Sequence, residues 1–576
     1  MYCHFLVDIP TDTGKISFNK RAGTTYVEYT YERVYDKKRR YNVPRRTTIG
    51  KLSESDRQKM YPNPNFEKFF PNLVPQQLLV SSDRSSCIRV GAFIVIKKVI
   101  ESYDLQKCLA RRDARGVGLL LDLAAYSIVC ESNVAQHYPE YAYNHPLMTP
   151  AHNIYSDSTV SRFLSEIDAN DRLGFLERWN DRRHKRERIY VSYDSTNKNC
   201  KAGEIEKAEY GHAKEDCGAP IFNYAVAYDV ENQVPLIYEC YPGSIVDVSQ
   251  LQYAIEKLQG YGYRDIAMIL DRGYFSKDNI RFMESCGFAF VIMVRGKASF
   301  VNELILEKRG LFETKRACVI TAYDTYGMTI REKLYADDEK ERYFHLYYSM
   351  SRQCAERVQL ENTLRQMEDL MDRARGSSLE LAKPYEHYFN LVYHEAEGVK
   401  KFYGYSERED VIEEELKTCG YFALVTSEKM TATEALPLYK SRDASEKLFC
   451  SDKSFLGNRT ARAMSDDVLE GKIFVEFVAL IIRSRIYTLL RKRVAEMPRK
   501  PNFMTVPAAL RELEKIELIR QPNGAYKLDH AITATQKTIL GAFGLDESAV
   551  RIAAAEIGTE LQDAKEAGKE TDDAPY

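Results

Sequence analysis

With 576 residues, 44% of them hydrophobic, the chain is too long for one ordinary core and apolar enough to build roughly two to four domains. Its 82 basic and 84 acidic side chains leave a net charge of −2, so there is no global pull toward nucleic acid and any such contact must come from local basic patches. The 12 cysteines form no CxxC pair and show no ligand spacing to a histidine, which argues against a structural zinc site and against a disulfide framework.

The start, "MYCHFLVDIPTDTGK", lacks the charged head and long apolar run of a signal peptide. The longest apolar runs, "FAFVIMV" and "FVALII", fall well short of the ~20 residues that span a bilayer. A soluble, cytoplasmic protein with no membrane partner is the expectation.

Residues 1–72 read as a basic β-strand segment. "TTYVEYTYERVYDKKRRYNVPRRTTIGKL" alternates aromatic and β-branched residues with polar ones, and its basic "DKKRRYNVPRR" falls at a hairpin turn. Residues 73–185 turn helical, with "VGAFIVIKKVIESYDLQKCLA" and "GVGLLLDLAAYSIVCES" apolar at helical intervals and "SDSTVSRFLSEID" a capped helix start. This region is expected to touch DNA.

Residues 186–297 change texture again. "RIYVSYDSTN" and "FNYAVAYDVENQVPLIYECYPG" supply three strands, and "DVSQLQYAIEKLQGYGY" a helix with Asp247 at its N-cap. "DIAMILDRGYF" is an apolar strand breaking at Gly273, "SKDNIRFMESCG" a helix, and "FAFVIMVRGK" a fifth strand. That order predicts an α/β core, a mixed sheet with helices on its faces. Residues 298–420 read as a separate inserted unit of strands and a charged helix, and residues 421–495 return to the core. A small helix-and-hairpin region follows over 496–558, then a polar tail over 559–576 that reads as disordered.

Asp194 closes the first strand of the mixed sheet and Asp271 the fourth, where apolar strands give way to turns and sites tend to form. Each is equally readable as a turn or capping aspartate. Further on, "LYKSRDASEKLFCSDKSFL" places Tyr439, Arg442, Glu446 and Lys453 on one stripe of a helix, roughly 60° wide at the α-helical pitch. Alone, such a stripe is modest evidence, and a solvated charged face is its plainer reading. Together, Asp194, Asp271 and Glu446 make an oxygen-only set that suits Mg²⁺ or Mn²⁺ better than zinc. A pair of such ions can activate a hydroxyl and stabilise a leaving oxygen in phosphoryl transfer.

"YVSYDSTN", "YECYPGSIVD", "ILDRGYFSKDNI" and "YKSRDASEKLFCSDK" resemble the signature blocks of bacterial insertion-sequence transposases of the DDE type. The branch is the one marked by a Tyr-Arg-Glu-Lys motif, Y-x2-R-x3-E-x6-K, which Tyr439, Arg442, Glu446 and Lys453 meet without gaps. The likeness covers about Arg188 to Arg493, and "RRTTIGKL" near the N-terminus also has the look of that branch. It implies a ribonuclease-H-like core with a β-rich insertion, and Asp194, Asp271 and Glu446 as catalytic holders of two divalent ions. Tyr439, Arg442 and Lys453 would grip DNA phosphates. The implied partners are DNA (terminal inverted repeats and target) and a second copy of the chain on paired ends. The branch flips a base onto an aromatic side chain; here the only tryptophan, Trp179, precedes the core, leaving a residue such as Phe300 for that role.

Three basic clusters supply candidate DNA contacts: Lys37, Lys38, Arg39, Arg40, Arg45 and Arg46; Arg182, Arg183, Lys185, Arg186 and Arg188; and Arg483, Arg485, Arg491, Lys492 and Arg493. His212 and Lys214 in "EYGHAKED" are further candidates, with a solvated loop histidine the plainer reading of the first. Competing functions are a ribonuclease-H-like nuclease without strand transfer and a non-catalytic repressor derived from a transposase.

Overall fold

A computed structural model describes residues 6–567, apart from 12–14, 22, 38–39, 54–55, 71–72, 74–83, 184–187, 202–204, 212, 214–217, 295–298, 379–381, 397–398, 458, 500 and 522–523. The chain divides into two compact units. One comprises Met1–Ser86 with Arg520–Ala525, and the other Cys87–Ile519 with Tyr526–Tyr576.

The first unit is a five-stranded antiparallel sheet of β1 (Val7–Asp8), β2 (Ile16–Arg21), β3 (Thr24–Asp36), β4 (Tyr41–Leu52) and β5 (Lys59–Pro62), ordered β1-β5-β4-β3-β2. Val7, Val27, Ile49, Met60 and Phe66 close its small core. The predicted hairpin is β3–β4, and its turn takes Arg40 into the left-handed region at φ 55°. Lys37, Arg40, Arg45 and Arg46 are exposed, with Arg45 paired to Glu32 at 3.3 Å; Lys38 and Arg39 lie outside the described residues.

In the second unit β6 (Cys87–Arg89) pairs with the strand Glu517–Arg520, and the helices Gly91–Ser102, Ala114–Cys130, Asp157–Ser165 and Ala169–Asp181 follow. The predicted helical region is thus present, but it is no separate domain: its apolar faces belong to the same hydrophobic core as the large sheet. Trp179, fully buried, donates its indole N–H to the carbonyl of Pro235 at 2.9 Å and ties this layer to the sheet.

The large sheet has ten strands. β7 (Ile189–Cys200), β8 (Ile221–Asp229) and β9 (Val234–Pro242) form an antiparallel meander; β10 (Ile266–Leu270) and β11 (Ala289–Met293) then run parallel to β7 on its other side. β10 reads IAMIL and is buried throughout, as a strand covered on both faces must be. The helices Asp247–Gly260 and Lys277–Ser285 make the crossovers. This is the expected α/β mixed sheet.

The inserted region differs from expectation. β12 (Val319–Ile320), β13 (Thr325–Lys333) and β14 (Glu341–Tyr348) extend the core sheet itself, since β14 pairs with β17 (Tyr421–Thr426) and β17 with β11. Only the hairpin of β15 (Phe389–Ala396) and β16 (Val399–Glu407), with helices Met350–Ala374 and Glu409–Thr418, has a core of its own, around Leu364, Met371, Phe389 and Phe402. Pairing across some 75 residues of sequence leaves no local signature, which is why β14 reads as part of a separate unit.

The helix Asp466–Ala495 runs through the centre, and Ile473–Ser484 is buried on every side. Residues apolar all round mark an interior helix. Gly471 lets it approach the neighbouring helix: a Cβ there would lie 2.2 Å from the carbonyl oxygen of Leu164. The chain end also corrects the reading of a tail beginning at 559, because Glu547–Ala567 is one helix. Val550, Ala554, Ile557 and Leu561 form a buried stripe at helical spacing that the surrounding charges conceal in the sequence.

Candidate active site

The site begins with strand register. β10 lies parallel to β7 with Leu270 beside Tyr193, so Asp194 and Asp271, each one residue further, leave adjacent strands on the same face. Asp271 ends β10 as predicted. Asp194 does not end its strand: β7 continues to Cys200, held by β8 on one side. On the other, β18 (Thr460–Ala461) takes the place β10 vacates, pairing with Asn199 and Cys200. The gap between the end of β10 and β18 opens the sheet beside Asp194 and leaves its carboxylate partly exposed. One Asp194 oxygen accepts from the Ser195 N–H at 2.9 Å.

The Tyr-Arg-Glu-Lys segment is not one continuous helix. Ala432–Lys440 ends in a turn at Ser441–Arg442, and a second helix runs Asp443–Phe455. Through the turn the bonds tighten to i→i+3, with Arg442 N–H to the Tyr439 carbonyl at 3.1 Å and Ala444 N–H to that of Ser441 at 3.1 Å. The Ser441 hydroxyl also bonds back to the Leu438 carbonyl, competing with regular helix. The four motif residues therefore come from two helices and the turn between them.

Three of them gather at the aspartates. The buried Tyr439 donates its hydroxyl to Asp271 at 3.1 Å. Burial, then the neighbouring Asp271, pushes that hydroxyl well above the ordinary tyrosine range. Arg442 reaches Asp271 at 3.6 Å through one terminal nitrogen and Glu446 at 2.8 Å through the other. Its burial disfavours the charge, but Tyr439, Asp271, Glu446 and Asp194 around it hold its pKa above the usual value. The buried Nε–H of Arg442 has no hydrogen-bond acceptor among the described residues. Lys453 lies on the same helix as Glu446, half-buried, roughly 10 Å further along at the α-helical rise.

Two buried contacts that the sequence did not reveal set the helix against the sheet. The hydroxyl of Ser445 donates to that of Ser192 at 2.8 Å, joining the residue before Glu446 to the strand of Asp194. Four residues beyond Asp194, Lys198 is fully buried and pairs with Asp452 at 2.6 Å and with Glu476. It thereby joins β7, the glutamate helix and the central helix. Burial lowers the Lys198 pKa, while Asp452 opposes that shift. In the sequence, a serine in a strand and a lysine near its end carry no mark of this.

Other expected residues fare differently. Asp247 is the first helical residue, not the cap; its carboxylate instead accepts the Tyr241 hydroxyl at 2.6 Å. Phe300 packs edge-on against Phe344, ring centroids 5.5 Å apart. Arg182 bonds to the Asp104 carbonyl and the Cys108 sulfur. Arg183 stacks over Trp179 at 3.9 Å. Arg188 pairs with Glu428 at 2.9 Å. Lys185, Arg186, His212 and Lys214 lie outside the described residues.

Among the described residues no three His, Cys, Asp or Glu side chains are grouped closely enough to hold a metal ion. Arg442 instead pairs with two of the expected acids, Asp271 and Glu446. The donor chemistry itself fits a hard cation: carboxylate oxygens only, two of them side by side at an opening in the sheet.

Residues 186–482, more than half of the chain, match the family model described as "Transposase DDE domain". No curated protein sequence matches the chain. Among solved structures, the piggyBac transposase synaptic complex with hairpin DNA is similar at 10% identity and a TM-score of 0.33, over 73% of this chain and 77% of that one. The Mos1 transposase paired-end complex with left transposon end is similar at 14% identity and a TM-score of 0.14, over 26% and 53%.

Proposed function

The chain belongs to the transposase DDE domain family, and we propose that it is a DNA transposase of an insertion sequence, of the Tyr-Arg-Glu-Lys branch. It binds terminal inverted repeats, cleaves DNA at the element's ends and joins the freed 3′-hydroxyl to a new strand. The observation that carries this is the in-register pair Asp194 and Asp271, with Tyr439, Arg442 and Glu446 from a distant segment arranged around it. The meander β7–β9 followed by parallel β10 and β11 supports reading the core as ribonuclease-H-like.

Asp194, Asp271 and Glu446 would hold two Mg²⁺ or Mn²⁺ ions, which when bound polarise the phosphate and activate the attacking hydroxyl. The protein's own groups do the positioning. Arg442, beside both Asp271 and Glu446, carries the planar fork that suits a phosphate at the cut bond. Tyr439 fixes the Asp271 carboxylate, and Lys453 supplies a compact positive charge further along the helix. No step requires a protein–DNA bond, so Tyr439 acts as a hydrogen-bond donor.

Cleavage of labelled DNA carrying the repeats that flank this reading frame, with Mg²⁺ or Mn²⁺, tests the reading. Hairpin or strand-transfer products are expected, and Asp271→Asn should abolish them while leaving end binding intact. Nicks alone would make the protein a nuclease; binding without products would make it a repressor.

A further inference from the structure

A cavity of about 420 Å³ lies on another flank of the glutamate helix from the carboxylates, between that helix and the central helix Asp466–Ala495. Neither Arg442, Glu446 nor either aspartate lines it. Its walls carry four cations, Lys440, Lys447, Arg483 and Arg491, against a single carboxylate, Asp443. None of the four makes an ion pair among the described residues. The cavity wall thus carries three more positive than negative side chains in a chain of net charge −2.

Arg483 makes the case stronger. It is 4% exposed, and among the described residues its guanidinium donates to the neutral hydroxyl of Ser451 at 3.0 Å and lies over the Phe455 ring at 4.8 Å. Burial holds its pKa down at about 10, with Glu131 and then Cys450 opposing. A buried guanidinium without a counter-charge is costly unless an anion completes it. Tyr323 and Tyr487 add hydroxyls and ring faces to the same wall. Uncompensated cations interleaved with aromatics, in a groove open to solvent, form the pattern that tracks a nucleic-acid backbone.

We infer that this cavity is a second DNA contact, which seats backbone phosphates on the flank of the glutamate helix, outside the reaction centre. The inference rests on the transposase reading, because it takes DNA as the anion. It gives a role to Arg483 and Arg491 of the third basic cluster, which the reaction centre leaves unused. It also ties DNA occupancy to the helix that presents Glu446, since Lys447 and Glu446 are neighbours on it.

The test uses the full chain and a fluorescein-labelled DNA duplex of arbitrary sequence, with binding followed by anisotropy across a salt series. Lys440, Lys447 and Arg491 are exposed, so their joint replacement by alanine spares the core; Arg483 is left in place. Joint replacement of Lys333, Lys340 and Arg365 by alanine, three exposed cations outside the cavity and outside the three basic clusters, removes the same net charge as a control. The cavity variant should bind about tenfold or more weakly, and its slope of log affinity on log salt should fall by roughly 2 to 3, about 0.9 per lost phosphate contact. An unchanged slope, or a loss no greater than in the control, overturns the cavity site while leaving the transposase reading intact. A wild-type chain that binds no DNA overturns both. Displacement of the duplex by submillimolar inorganic phosphate or dAMP would make this a small-anion site and overturn the DNA assignment.

Discussion

Ser445, the residue before the motif glutamate, donates a hydrogen bond to Ser192, two residues before the first aspartate, and both hydroxyls are buried. Ser192 and Asp194 leave the same face of β7, so this contact, with the buried Lys198–Asp452 pair, holds the glutamate helix against the strand of Asp194. Replacing Ser445 by alanine strands the Ser192 hydroxyl, which should lower stability by about 1–3 kcal/mol in urea denaturation. Removing both hydroxyls should be closer to neutral, because neither partner is then left unsatisfied. Metal-dependent cleavage should fall in both variants while DNA binding holds. Equal cleavage by the double variant and the wild type would mean that the pair only stabilises the fold.

What the sequence did and did not disclose follows from the range of each interaction. Asp271 at the end of an apolar strand is a local fact and stands where the sequence puts it, whereas the Tyr-Arg-Glu-Lys residues, expected on one helix, are divided between two helices and a turn. That Asp194 lies within β7 depends on β8 and β18, which pair with it from elsewhere in the chain. The merging of β13 and β14 with the core sheet is likewise invisible until β17 supplies an edge. The break at Ser441–Arg442 carries a local signal, in Pro437 and in a serine able to bond back to the helix. Arg442 shows the deepest limit: its charge was legible, but its pairing with carboxylates needs three separate elements in place.

That pairing has a consequence for metal binding. Arg442 neutralises Asp271 and Glu446, the same groups that would hold the ions, so cation and guanidinium compete for them. Arg442→Gln should therefore tighten Mn²⁺ binding by about tenfold, the equivalent of 1.4 kcal/mol, in calorimetric titration of the DNA-free protein. The same variant should cleave poorly, having lost its phosphate contact. Unaltered Mn²⁺ affinity would show that Arg442 leaves the carboxylates at no energetic expense.

The Lys198–Asp452–Glu476 cluster should be the most sensitive point in the core. All three groups are buried and one cation serves two carboxylates. Lys198→Met takes the shared cation from both acids and should destabilise the protein by roughly 3–5 kcal/mol, the range for breaking a buried pair from one side. Glu476→Gln, which keeps the Lys198–Asp452 pair, should be markedly milder. Denaturation midpoints for the two variants decide this, and a reversed order would mean that Glu476, not Lys198, governs the cluster.

His345 gives the protein an acid-sensitive seam. It is fully buried in β14, and its two ring nitrogens sit 3.0 Å from the hydroxyls of Thr329 on β13 and Thr426 on β17. A neutral imidazole donates to one hydroxyl and accepts from the other; a charged ring has only donors. Burial lowers its pKa from 6.5 to about 4, with Glu434 opposing weakly. The folded state thus binds fewer protons than the unfolded state between those values, and stability rises with pH across that window. The contribution is complete above pH 6.5 and is lost as the pH falls toward 4. Moving from about pH 7 to about pH 5 should remove roughly 2 kcal/mol through this residue. His345→Gln, which keeps a donor and an acceptor but cannot titrate, should show a flatter fall in urea midpoint over that interval. If wild type and variant lose stability in parallel, the acid sensitivity lies in other groups and His345 is already charged or already exposed.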